Sequence, residues 1–105
     1  MEYEKIREKL TFAELEKSEN VTAGELIETL KEYAQEGSRI SSMVVISIIK
    51  KTELSEADYD ELIKISQRGI NVQGENRKSS QITLVDKMQN EYKKVIDYIG
   101  HRDHK

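Results

Sequence analysis

The sequence predicts an all-α domain of four or five helices in a compact bundle. Three observations carry that expectation. Proline is absent from all 105 residues. Three Ser/Thr-x-x-Glu/Asp tetrads mark helix starts, the hydroxyl and the carboxylate each serving an otherwise orphaned backbone N–H. Apolar residues recur at helical spacing with glutamates and lysines opposite.

The first helix is expected to start near Glu2, with Tyr3, Ile6, Leu10 and Ala13 along one side. Thr11-Phe12-Ala13-Glu14 offers an alternative: a separate short helix capped by Thr11 and running through Lys17. A second helix follows the cap at Thr22 and stops at Gly37, which suits the left-handed position after a helix. Its apolar stripe is Leu26, Ile27, Leu30, Tyr33 and Ala34.

Residues 40–49 are apolar all round a helical wheel and rich in β-branched side chains. They read either as a central helix or as a buried strand over 43–49, which would make the domain α+β. The helix is the preferred reading, because the candidate partner strands at 70–72 and 81–85 are weak. Lys50 and Lys51 follow the run where gatekeepers against aggregation belong. A fourth helix is capped by Ser55, buries Tyr59, Leu62, Ile63 and Ser66, and ends before Gly69. Residues 69–80 then read as a polar loop. The last helix has the clearest face: Ile82, Leu84, Val85, Met88, Tyr92, Val95, Ile96 and Ile99, with Gly100 as its stop. It is expected along the centre of the bundle, against residues 43–49. Residues 1–100 form one domain and 101–105 a polar tail.

Leu, Ile, Val and Phe make up 26 of 105 residues, above the ~20% below which a chain tends to stay disordered. The core is therefore aliphatic and thin, which makes docking on a partner or homodimerisation a live expectation. With no cysteine, disulfides and thiolate metal sites are excluded. No apolar run approaches the ~20 residues of a membrane span, and residues 1–5 do not resemble a signal peptide. A cytoplasmic location is the expectation.

The net charge of −3 is unevenly spread. Residues 1–37 carry ten acidic and five basic groups, whereas residues 70–105 carry five and seven. That gradient lacks the concentrated basic footprint of a duplex binder. A helix-turn-helix reading of the third and fourth helices fails on charge, since the recognition helix would lead with Glu56, Asp58, Asp60 and Glu61. The basic alternative, Arg77, Lys78, Lys87, Lys93 and Lys94, is split between faces, with Lys87 and Lys94 sharing one.

The chemical motifs are weak. His101-Arg102-Asp103 has the letters of a kinase catalytic loop without the residues that follow it. Gly69 to Asn76 has phosphate-loop glycine spacing, but Glu75 occupies the lysine position. Asp97, His101 and His104 have i, i+4, i+7 spacing, yet a stop at Gly100 would keep them apart. Asp58, Asp60 and Glu61 sit where they complement a helix dipole. No catalytic residue, metal or cofactor is expected.

What remains is a small acidic protein–protein interaction module: a regulator, an inhibitor or immunity-type partner, or an assembly adaptor. The alternative is a nucleic-acid accessory using the weakly basic last third. The candidate partner-binding segment is the long polar loop, with Ile70 and Val72 as apolar anchors among Asn71, Gln73, Glu75, Asn76, Arg77 and Lys78.

Overall fold

The computed structural model describes residues 10–75 and 82–102. Among them are five helices and no strand: α1 (Phe12–Lys17), α2 (Ala23–Glu36), α3 (Ser42–Lys51), α4 (Glu56–Glu75) and α5 (Ile82–His101). The domain is all-α. The helical start expected near Glu2, with Tyr3 and Ile6, lies outside the described residues.

All three capping tetrads are built. Thr11 Oγ1 accepts from the Glu14 N–H at 3.2 Å while Glu14 Oε1 accepts from the Thr11 N–H at 2.9 Å. The same reciprocal pair joins Thr22 with Glu25 and Ser55 with Asp58. Each box satisfies two orphan donors of a helix start, and losing such a cap costs ~1 kcal/mol. Gly37 ends α2 at φ 71°, ψ 25°, a left-handed conformation that a side chain would strain. α1 is the short capped alternative, burying Phe12 and Leu15 and leaving Ala13 exposed. The ring of Phe12 lies 4.4 Å from that of Tyr33.

Residues 43–49 are helical, so the strand alternative falls. Ser41 caps α3, and Val45, Ile48 and Ile49 point inward, while Met43 is 79% exposed. The run that looks apolar on every side is therefore one-sided.

Two expected boundaries are corrected. α4 does not end before Gly69; it continues to Glu75, so residues 69–75 are helix and not loop. α5 does not stop at Gly100 but continues to His101. Gly69 is explained by packing. A Cβ built on it would lie 2.6 to 2.8 Å from three atoms of the Tyr92 ring. The glycine lets α5 approach α4 closely, and its cost in helix propensity of ~1 kcal/mol is offset by that contact.

α5 lies between α3 and α4, and α4 in turn packs on α2; the expected place of α5, against residues 43–49, is where the structure puts it. Pairings set the directions. Arg102 stacks on Tyr59 at one end of the α4–α5 pair, and Gln89 reaches the Ile70 carbonyl at the other. These two helices are antiparallel. Ser42 meets Glu91, and Lys50 lies over Tyr98, so α3 runs parallel to α5. The core gathers Leu26, Leu30 and Ala34 of α2 with Val45, Ile48 and Ile49, Leu62 and Ile65, and Tyr92, Val95 and Ile99. On α5, Val85 is buried, Met88 and Ile96 are half-buried and Leu84 is 37% exposed. The side chain of Ile82 lies outside the described set. Lys51 donates from Nζ to the carbonyls of Glu16 and Ser18 at 2.7 and 2.5 Å, closing the C-terminal end of α1 and fastening it to α3.

Candidate interaction surface

The fourth-helix carboxylates do not form an acid–base pair: Asp58 is engaged in its capping box, and Asp60 and Glu61 are exposed. Glu56 accepts from Arg102 Nη2 at 2.7 Å, and Arg102 Nη1 donates to the Ile99 carbonyl. That guanidinium lies 3.7 Å above the Tyr59 ring and clasps the end of α5 onto the start of α4. The glycine spacing from residue 69 lies in helix over its described part, so it forms no phosphate cradle there. His101 sits on the helix with Nδ1 2.8 Å from the Asp97 carbonyl oxygen. His104 lies outside the described residues. Among the described residues no cluster of three or more His, Asp or Glu is arranged for a metal, and no helix is long and apolar enough to cross a membrane.

The candidate partner-binding residues do not share one surface. Gln73 is buried and donates from Nε2 to the Gly37 carbonyl at 2.9 Å. Ile70 packs against the core, and its carbonyl accepts from Gln89. Val72 is half-buried, whereas Asn71 and Glu75 are exposed. Asn76, Arg77 and Lys78 lie outside the described residues. Replacing 71–78 by a flexible linker would remove the last turn of α4 and the Gln73 tie, so that stretch is not a neutral connector.

The titratable groups with clear shifts also have structural roles. Burial pushes the Tyr92 phenol up to about 12, and its hydroxyl donates to the Ser38 carbonyl at 3.2 Å. Glu91 accepts the Ser42 N–H at 2.7 Å. That bond, helped by Lys94 at 3.5 Å, holds its carboxyl below the usual glutamate range against a smaller desolvation effect. A depressed carboxylate stabilises the folded state above its unfolded pKa, and the contribution is lost as pH falls through the folded pKa. Glu91→Gln is therefore expected to cost roughly 1 kcal/mol at neutral pH. The difference from wild type, read by urea titration, should shrink as pH falls below the ordinary glutamate pKa.

The feature left over is the outer face of α3 and the adjoining edge of α5. At ~100° per residue, Met43, Ile46, Ser47 and Lys50 lie opposite the buried Val45–Ile48–Ile49 side. Met43 and Lys50 are exposed and Ile46 is half-buried. On α5, Lys87, Glu91, Lys94 and Tyr98 follow at i, i+4, i+7 and i+11, with Lys87 and Lys94 exposed. The sequence signal for this face was the shared side of Lys87 and Lys94. Met43 was hidden because it begins an apolar run whose other members include the core residues.

No protein-family model, curated protein or solved structure matches the chain.

Proposed function

We propose that the protein is a non-catalytic protein–protein interaction module, acting in the cytoplasm as a regulator, inhibitor-type partner or assembly adaptor. The observation that carries this reading is Met43, a large apolar side chain 79% exposed on a helix whose other face is core. Ile46 is one turn along, and a flexible thioether adapts to varied partner surfaces. Two facts add support: Glu91 and Tyr92, the groups with clear shifts, are both engaged with backbone, and Asp58 is engaged in a cap. Of the basic residues behind the nucleic-acid alternative, Lys87 and Lys94 share one face, Lys93 lies on another, and Arg77 and Lys78 lie outside the described residues.

Met43→Asp is expected to leave the melting temperature within ~2 °C, since exposed substitutions stay within about 0.5 kcal/mol. A photo-crosslinking residue at position 43 should capture one specific protein from source-cell lysate, and a crosslinker at exposed Glu61 should not. Adding unlabelled wild-type protein should abolish the capture, and unlabelled Met43→Asp should fail to compete. Competition by Met43→Asp equal to wild type would overturn this choice of surface. Retention on heparin with steep release by salt would instead favour the nucleic-acid alternative.

A further inference from the structure

We propose that the α3–α5 face receives an acidic amphipathic helix of a partner protein, with its apolar side on Met43 and Ile46 and its carboxylates beside Lys50 and Lys94. The inference rests on the interaction-module reading and names the chemistry of the occupant.

The two helices form a shallow ridge pair of known register. Ser42 meets Glu91 at one end, and Lys50 lies 5.9 Å from the Tyr98 ring centre at the other. With 1.5 Å rise per residue, these contacts span roughly 11 Å along parallel axes, about two turns, which fits two turns of a docked helix. Met43 and Ile46 sit within that interval on α3, and Lys94 sits within it on α5.

The charge of this face runs against that of the whole chain. The protein carries −3, yet exposed Lys50 shares the outer face of α3 with Met43 and Ile46, and exposed Lys94 falls within the same α3–α5 register. The carboxylate on this edge of α5, Glu91, is 23% exposed and already engaged by the Ser42 N–H and Lys94, whereas the exposed Glu53 and Asp97 follow Lys50 and Lys94 by three residues. An incoming carboxylate would meet Lys50 and Lys94, while the apolar centre would supply the contact that electrostatics alone does not.

Other occupants fit less well. A second copy could offer its acidic α2 stripe, Glu25, Glu28, Glu32 and Glu36, but the apolar side of α2 is committed to its own core. No apolar anchor would accompany those glutamates. A nucleic acid would satisfy the lysines but leave Met43 and Ile46 against phosphate and sugar.

The test uses the full chain, isotope-labelled, titrated with a synthetic helix of about 18 residues carrying leucines on one face and glutamates on the other. The same helix with lysines for glutamates serves as comparison. The acidic peptide should shift resonances of residues 43–50 and 87–98 and bind more weakly as salt rises. Lys50→Glu with Lys94→Glu should lower its affinity at least tenfold and transfer preference to the lysine peptide. Met43→Ser should weaken the acidic peptide severalfold while circular dichroism is unchanged. Absence of binding, shifts on α2 or α4 instead, or indifference to the charge reversal would overturn the proposal. So would equal binding of duplex DNA or anionic vesicles, or self-association through this face. A partner captured at position 43 that is not acidic would leave the interaction reading standing and defeat this one.

Discussion

Val45→Asp and Ile48→Asp are each expected to unfold the protein. Both side chains are fully buried on the inner face of α3, within the single core cluster, and α3 packs on α1 and α5. An aspartate at either place loses its hydration among apolar side chains. It must then remain charged in an apolar site or take up a proton, and either route costs more than ~4 kcal/mol, close to the whole stability of a small domain. Far-UV circular dichroism should show loss of helix at 25 °C, or a urea midpoint moved nearly to zero. Met43→Asp, two residues before Val45 and facing water, is the internal control. A cooperative, near-wild-type transition in Val45→Asp or Ile48→Asp would refute the inward placement of α3.

Gly69→Ala should destabilise the protein although alanine is the better helix former. In open space the substitution would gain ~1 kcal/mol. Here the new methyl falls within 2.8 Å of three Tyr92 ring atoms, and the ring cannot retreat. It is fully buried, and its hydroxyl is fixed on the Ser38 carbonyl. Overpacking of this kind costs about 1–3 kcal/mol, sometimes more. The expected result is a net loss of about 1 kcal/mol, or roughly 5 °C in melting temperature. Gly100→Ala is the contrasting case, because no atom lies within 4 Å of the added methyl; it should be neutral or stabilising. Trimming the ring with Tyr92→Leu should make the two changes less than additive, as expected for residues in direct contact. Strict additivity would show that the helices separate freely.

These cases show what was legible in the sequence. Signals confined to a few residues were read correctly: the boxes at Thr11, Thr22 and Ser55, the left-handed stop at Gly37 and the one-sided stripe of α2. Such features are satisfied by the chain's own neighbours, so their chemistry is visible locally. Gly69 and Gly100 look like stops in the sequence but lie inside helices, because a glycine's meaning depends on what approaches it. Tyr92, 23 positions away, decides the matter for Gly69. The same gap hid the binding face. Met43 belongs to an apolar run, and only the packing of α3 between α1 and α5 determines which side meets water. The Gln73 tie to Gly37 is hidden for the same reason, because a polar residue near glycines reads locally as loop. Lys51, placed among gatekeepers by position, closes the carbonyls of α1, a role that depends on where α1 lands.

The short connection between α2 and α3 has a consequence for how the chain is made. Gln73 donates to the carbonyl of Gly37, Tyr92 to that of Ser38, and Glu91 receives the N–H of Ser42. Every one of these clasps comes from a residue translated later than the corner it holds. At ~5–20 residues per second, the roughly fifty residues from Ser42 to Tyr92 take several seconds to emerge. During that interval Val45, Ile48 and Ile49 have left the ribosome without the α5 residues that will cover them. The nascent chain therefore exposes its most apolar helix for longer than small helical domains ordinarily need to fold, and the corner between α2 and α3 closes only when α5 arrives.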